Sequence, residues 1–264
     1  MENIKASILI ANFNSAKYID QCINSLKSQT YKNYEIIFFD DNSTDNSIET
    51  IKKYKDIKII ENKKQTSYGS LNQINAYKTA YEQSSGDILF FLDADDYFRE
   101  NKLEKIIDRF SNKSNKKIIF DYPIIFNNEK FFNIKKKKQF FKTYWPYIHP
   151  QSCISFRRVV ANDIFKSINY QKYTDVWMDF RICLFSQYLL KEMNVIDENL
   201  TFYRQTDTNI SSGFKRFSGN WWKRRKEAHS YLINFAKDNN FKISKNLDFK
   251  ITNFINNFII IFYQ

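Results

Sequence analysis

The sequence predicts an α/β fold, a largely parallel sheet flanked by helices, from three observations. Continuous apolar runs alternate with segments of helical periodicity over the first 126 residues. The principal runs end in polar residues rather than in tight hairpin turns. The connections between runs are long enough to hold a crossover helix, which parallel pairing requires.

The elements follow in order. ASILIANFN (6–14) is a strand buried on both faces, and Ala16, Ile19, Ile23 and Leu26 then recur at helical spacing, with Asn14 or Ser15 placed to cap the helix. YEIIFFDD (34–41) is a second strand, 45–54 a short helix with Ile48 and Ile51 inward, and IKIIE (57–61) a third strand. Leu71, Ile74, Tyr77 and Tyr81 mark a helix, and DILFFLD (87–93) a fourth strand. Leu103, Ile106, Ile107 and Phe110 form a further helix before KIIFDYPIIF (117–126). Right-handed crossovers bring the carboxyl ends of such strands to one edge, where open sheets bind ligands. Asn12 and Asn14, Asp40 and Asp41, and Asp93, Asp95 and Asp96 all fall there. Beyond a soft boundary near 127 the pattern loosens, with a helix-like segment near 174–190, a strand-like ENLTFYRQ (198–205) and two helical segments after 218.

Composition narrows the chemistry. The cysteines, Cys22, Cys153 and Cys183, are odd in number and far apart, which predicts buried thiols in a reducing compartment. With only His149 and His229 besides, a zinc centre has no ligand set, so any metal must be held by oxygen. The four glycines, none before Gly69, exclude a Walker loop, a dinucleotide fingerprint and the glycine-rich loop of a pyrophosphorylase. MENIKASILI lacks the pattern of a secretory signal and no apolar stretch reaches ~20 residues, so the expected location is cytoplasmic. A formal charge of +12 favours anionic partners. A basic nucleic-acid-binding protein is the rival class, but the cations are spread along the chain and no nucleic-acid-binding motif occurs.

Two motifs carry the chemistry. FLDADDYF sets three carboxylates within four positions after a buried strand; their repulsion calls for Mn²⁺ or Mg²⁺, since these ions prefer oxygen ligands. A solvated turn capping the next helix is the plain alternative. In FFDDNSTDNS, capping explains Ser43, Thr44 and Asp45 but not the doubled Asp40–Asp41, where a carboxylate can accept a hydrogen bond from a uracil imide.

Taken together, ILIANFN, SLKSQTYKNYEIIFFDDNSTDNS and GDILFFLDADD resemble the N-terminal signature of family 2 glycosyltransferases, over about residues 4–110. The resemblance implies a GT-A-type, Rossmann-like sheet with an acceptor side and a C-terminal helical extension. It also implies inverting transfer from a nucleotide-sugar donor, a UDP-sugar above all, to a hydroxyl of a glycan or lipid-linked saccharide. A hexosyl or N-acetylhexosaminyl transfer in surface polysaccharide or glycolipid synthesis is the expected setting, and a catalytically inactive relative the alternative. Residues 1–126 would bind the donor, 127–217 the acceptor within the same domain, and 218–264 would extend it.

By this resemblance Asn12, Asn14 and Asp41 line the nucleotide pocket, Asp93 faces donor ribose or sugar, and Asp95 is the principal metal ligand, with Asp93 beside it and Asp96 nearby. YTDVWMDFRI (173–182) is similar to the family's base-bearing segment, so Asp175 is the expected base, with Asp179 one helical turn on and not separable from it. FYRQTDTNIS (202–211) resembles the segment that closes over the donor, which would bring Arg204 to the diphosphate. The segment before the metal strand departs from the family's pattern, and leaves open which of Asn72, Asn75 or Lys78 meets the donor. His149, Gln151 and Trp177 are weaker acceptor-side candidates.

Two features keep open readings. Lys135–Lys138 reads as a solvated loop, whereas Trp221 and Trp222 beside Lys223, Arg224, Arg225 and Lys226 read either as a peripheral membrane contact, at the inner face of the plasma membrane, or as packing against the sheet. The apolar FINNFIIIFYQ (254–264) fits an interfacial helix, an oligomer contact or core, and the oligomeric state is not specified.

Overall fold

A computed structural model describes residues 4–111, 115–127, 130–133, 144–168, 172–206 and 213–262. The lysine run 135–138 and residues 207–211 of the arginine segment lie outside them.

Strands β1 (Ala6–Asn12), β2 (Tyr34–Asp40), β3 (Lys58–Glu61) and β4 (Ile88–Asp93) pair in parallel in the order β3-β2-β1-β4. Helices α1 (Ala16–Lys27), α2 (Ser47–Ile51), α3 (Gly69–Glu82) and α4 (Lys102–Ser111) separate or follow them, as the periodicity predicts. Alternation along β1 shows why its run is apolar throughout. Ala6, Ile8 and Ile10 pack toward α1 and α4, where Ile19, Ile23, Leu103 and Phe110 meet them, while Leu9 joins the core beneath α3. Gly86 is required by close approach: a Cβ there would lie 2.6 Å from Ser7 Oγ and 2.7 Å from Ala6 backbone.

The second half builds the same sheet outward. Strand β6 (Ile118–Asn127) is reached through an antiparallel strand, β8 (Ile154–Arg157), inserted between it and β4. Strand β9 (Val195–Arg204) pairs in parallel with β6, the two-residue β5 (Tyr97–Phe98) pairs with β9, and β7 (Lys130–Asn133) pairs with β6. Because β5 follows β4 after three residues yet sits at the far edge, the sheet curls back on itself. This curling brings Arg204, at the end of β9, behind the turn that follows β4. The sequence pattern missed β5 and β8, each too short to show a period.

Helices α5 (Ala161–Ser167) and α6 (Met178–Leu184), the latter continuing as a π-helical turn over Phe185–Leu190, cover the face that α3 covers. The other side of α6, Val176, Phe180 and Leu184, packs on Ala228, Tyr231, Leu232 and Phe235 of α7 (Gly219–Asp238), and α8 (Leu247–Phe262) lies against α7. Among the described residues no helix is long and apolar enough to cross a membrane. All three cysteines are buried free thiols.

Candidate active site

A cleft of about 710 Å³ opens at the carboxyl edge of the parallel strands. Its walls include Asn12, Asp41, Asp93, Asp95, Gln151, Asp175, Trp177 and Asp179, so eight expected site residues meet in one space.

At the tip of β2, Asp40 and Asp41 divide their work. Asp40 accepts from Asn12 Nδ2 (2.7 Å), from the Ser43 hydroxyl (2.6 Å) and from the Ser43 backbone N–H (2.9 Å), and so shapes the turn after β2. Asp41 faces the cleft, its carboxylate held by Asn62 (2.7 Å) and Gln65 (3.1 Å); burial raises its pKa against the pull of these two donors. The Asn12 side-chain oxygen, Oδ1, is buried and has no hydrogen-bond partner among the described residues, while its backbone carbonyl accepts from the Asp41 N–H (2.8 Å).

Asn14 does not line this pocket. Its backbone holds φ 50°, a conformation asparagine tolerates, and its side-chain oxygen accepts from the Thr44 N–H (2.7 Å). It shapes the loop between β1 and α1. Neither Asn14 nor Ser15 caps α1; Asp45 does so from the neighbouring loop, accepting from the Ala16 N–H at 2.9 Å.

The acidic turn after β4 is fixed from below. Asp93 accepts from Gln73 (2.9 Å) and the Tyr77 hydroxyl (2.7 Å). Asp96 is buried, with one carboxylate oxygen bound by the Ser152 hydroxyl (2.5 Å) and the other by the Arg204 N–H (2.8 Å). Ser152 also accepts from the Asp93 N–H (3.0 Å), so one hydroxyl ties both ends of the turn. Its carbonyl is held in turn by Lys102, fully buried against Asp121 (2.9 Å) and Thr201 (2.6 Å).

Asp95 remains directed to the cleft. Burial, then the charge of Asp93, pushes its carboxyl up to about 7, the condition that an adjacent cation would relieve. Among the described residues no three His, Cys, Asp or Glu side chains converge on one metal position. Asp95 and Asp93 nevertheless fit Mg²⁺ or Mn²⁺ in a site completed by substrate phosphates and water, since such ions are often bound through only one or two carboxylates. Asp96, with both oxygens engaged, is a support for that pair.

On the opposite wall Asp175 lies beside Trp177 at the start of α6. Its N–H donates to Glu227 (3.1 Å) and its carbonyl accepts from Arg224 Nε (2.6 Å), leaving the carboxylate without a hydrogen bond among the described residues. Asp179 accepts from the Phe180 N–H (2.7 Å), and burial pushes its carboxyl up to about 7, with Phe180 and Arg224 opposing. Gln151 is 4% exposed, and both side-chain amide atoms lack hydrogen-bond partners among the described residues.

Two further candidates are placed elsewhere. Arg204 donates to the Asp95 carbonyl (2.9 Å), and its guanidinium lies 4.4 Å from the Tyr18 ring and 4.8 Å from Phe126. It braces the acidic turn from behind and does not line the cleft. His149 is 1% exposed beneath Tyr122 and Tyr147, with Nδ1 donating to the Asp121 carbonyl (3.0 Å); burial lowers its pKa to about 4, so it is a neutral packing residue.

Among the described residues the cation lining the cleft is Arg224 of α7, one of the cations beside Trp221 and Trp222 that the sequence left open between a membrane contact and packing against the sheet. Its guanidinium sits 4.1 Å from the rings of both Trp177 and Phe214, and burial lowers its pKa to about 10, which leaves it charged at neutral pH. The signal was its register: Arg224 falls one helical turn before the buried stripe Ala228, Tyr231, Leu232, Phe235. Of the three polar candidates on α3, Asn72 lines the cleft but is tied to Thr66, and Gln73 is the residue that meets Asp93.

Known proteins resemble this chain in sequence and in fold. The family model "Glycosyl transferase family 2" matches residues 7–169. An uncharacterized glycosyltransferase of Nostoc sp. is 28% identical over 218 residues, covering 76% of this chain and 65% of its own length. The UDP-Glc:alpha-D-GlcNAc-diphosphoundecaprenol beta-1,3-glucosyltransferase WfgD of Escherichia coli is 32% identical over 128 residues, 48% of this chain and 49% of its own. The chain thus spans about two thirds of one curated relative and half of the other.

Among solved structures, S. aureus TarS 1-349 in complex with UDP-GlcNAc superposes with a TM-score of 0.61 at 17% identity, over 88% of this chain and 67% of that one. The mannosyltransferase PcManGT from Pyrobaculum calidifontis, in complex with GDP-Man and Mn²⁺, gives 0.56 at 13% identity, over 94% and 67%. Both likenesses are of fold. With the family match across more than half its length and this curled sheet, the chain belongs to glycosyltransferase family 2 and has the GT-A fold.

Proposed function

We propose that the cleft transfers a sugar, with inversion, from a UDP-sugar to a hydroxyl of a glycan or lipid-linked saccharide acceptor. The observation that carries this reading is the meeting, in one cleft, of Asp41, the Asp93–Asp95 pair and the Asp175–Asp179 pair, drawn from both halves of the chain. On this reading residues 1–126 hold the donor and 127–217 the acceptor, with Arg224 entering from the helical extension.

Asp41 offers an acceptor to the uracil imide N–H, and the Asn12 side-chain oxygen, without a partner among the described residues, offers a second acceptor to another donor group of the nucleotide. Asp95, with Asp93, would hold Mn²⁺ or Mg²⁺, which when bound neutralises charge developing on the leaving diphosphate. Arg224, charged and partly desolvated, reinforces the site's preference for an anionic ligand. Asp175 takes the proton of the acceptor hydroxyl as that oxygen attacks the anomeric carbon; its carboxylate is favoured because no internal donor occupies it. Asp179, its carboxyl pushed up to about 7 by burial and bound to the Phe180 N–H, lies one helical turn on and orients the acceptor. The free amide of Gln151 is suited to read sugar hydroxyls or an acetamido group, since it both donates and accepts. The names of WfgD and of the TarS complex, each carrying a UDP-sugar, support the choice of nucleotide.

The test is thermal stabilisation by UDP, GDP, dTDP and CMP sugars with and without Mn²⁺. A Mn²⁺-dependent rise in melting temperature with UDP-sugars is expected. A rise with none of them would contradict the assignment.

A further inference from the structure

Helix α8 is amphipathic in the inverted sense. The side turned to α7 is polar: Asp248 binds Arg225 (2.6 Å) and His229 (2.9 Å), Thr252 is buried, and Asn256 donates to the Trp222 carbonyl (2.9 Å). The side turned away is apolar. Leu247, Ile251, Phe254 and Phe258, at i, i+4, i+7 and i+11, are 72%, 43%, 64% and 48% exposed. A helix that buries its polar side chains and exposes two phenylalanines, a leucine and an isoleucine is built to be covered.

The surroundings specify what covers it. The Asn256–Trp222 bond sets the later turns of α8 beside the start of α7, where Phe217, Trp221 and Trp222 cluster at 4.6–6.3 Å between rings. Phe217 is 62% exposed with φ 67°, a backbone conformation a bulky residue holds only under constraint. Cations ring this surface: Lys215, Arg216, Lys223, Lys245 and Lys250 are exposed. Among described residues 213–258, Asp238 alone is an exposed carboxylate, since Asp248 is ion-paired and Glu227 is bound to the Asp175 N–H. Pairing this face with a second copy would bring like charges together, whereas anionic headgroups neutralise the cations while the interface takes up the apolar stripe.

We propose that the outer face of α8, with Phe217 and the cations around it, seats on an anionic bilayer surface, α8 lying in the interface plane. Phe214, three residues before Phe217, lines the cleft, so this seating sets the cleft mouth near the headgroups. A membrane-anchored acceptor follows from that placement, and this last step alone rests on the glycosyl-transfer reading.

The test is co-sedimentation of the full chain with vesicles of phosphatidylcholine, alone or mixed with phosphatidylglycerol, compared with the double variant Phe254→Ser, Phe258→Ser. Both side chains are exposed, so the variant is expected to keep its melting temperature and its UDP-binding behaviour. The wild type should sediment with the anionic vesicles, less so at high salt, and the variant at least about tenfold less. Indifference of the wild type to anionic vesicles, or equal binding by the variant, would overturn the proposal. So would a wild-type dimer in sedimentation velocity that the variant abolishes, which would put a second copy on this face. Vesicle binding requires no sugar transfer, so its failure and that of the catalytic assignment are separable.

Discussion

The two walls of the cleft differ in how far their polar groups are already bound by the protein. On the wall assigned to the donor, Asp40, Asp41, Asp93 and Asp96 each accept from at least two donors of the chain itself, the buried Asn12 side-chain oxygen being the exception. On the acceptor wall the Asp175 carboxylate and both atoms of the Gln151 amide have no partner among the described residues. A wall whose geometry is fixed internally suits a ligand part that never changes, a nucleotide diphosphate with its cation. A wall with open valences suits groups supplied by the substrate, and its buried unpaired atoms are costly until a ligand arrives.

The comparison can be broken most severely at the base. Asp175→Asn should lower kcat by about 10²–10⁴-fold with little change in donor KM, whereas Asp179→Asn should cost less, which steady-state kinetics will separate. Equal losses in both would make the pair act as one unit. The next largest effect lies at the joint between the walls, where Lys102 of α4 reaches Asp121 of β6, the Ser152 carbonyl and Thr201 of β9. Lys102→Met strands a buried carboxylate and should destabilise the fold by about 3–5 kcal/mol in denaturant unfolding; Lys102→Met with Asp121→Leu should recover part of it.

A smaller effect is read through pH. The folded-state pKa of His149 is about 4, below its usual 6.5, so the unfolded chain binds a proton first as pH falls. The stability this group contributes is complete above pH 6.5 and is lost as pH falls through 4, on the order of 3 kcal/mol in all. His149→Gln should flatten that part of the stability profile relative to wild type while leaving turnover intact. Smallest is Gln151→Ala, which should raise the KM of one sugar substrate about tenfold without lowering the melting temperature, since no protein bond is lost. A fall in melting temperature instead would make Gln151 a structural residue.

What was legible in the sequence follows the same division. Strands β1, β2 and β4 announce themselves because both faces are buried, so every position is apolar until the polar tip. Asp41, Asp93 and Asp95 could therefore be placed by position as well as by resemblance. Asn14 and Arg204 occupy similar positions at strand ends, yet a loop hydrogen bond and a stacked guanidinium hold them away from the cleft. The acceptor side depends on longer-range geometry. Strand β8 is four residues long, β5 only two, and the pairing of β8 with β4 and β6 and of β5 with β9 is what carries Arg204 behind the acidic turn. Arg224 was hidden among Lys223, Arg225 and Lys226, because a run of cations has one composition whether a member points to solvent or into a cleft; only its alignment with the buried stripe of α7 distinguishes it.

The division between a donor wall and an acceptor wall is tested most directly by calorimetric titration of UDP, with Mn²⁺ present, into wild type, Asp95→Asn and Asp175→Asn. The wild type and Asp175→Asn should bind UDP with similar affinity, and Asp95→Asn should lose the Mn²⁺-dependent part of binding. Wild-type-like Mn²⁺-dependent binding by Asp95→Asn, or loss of UDP binding in Asp175→Asn, would contradict the account.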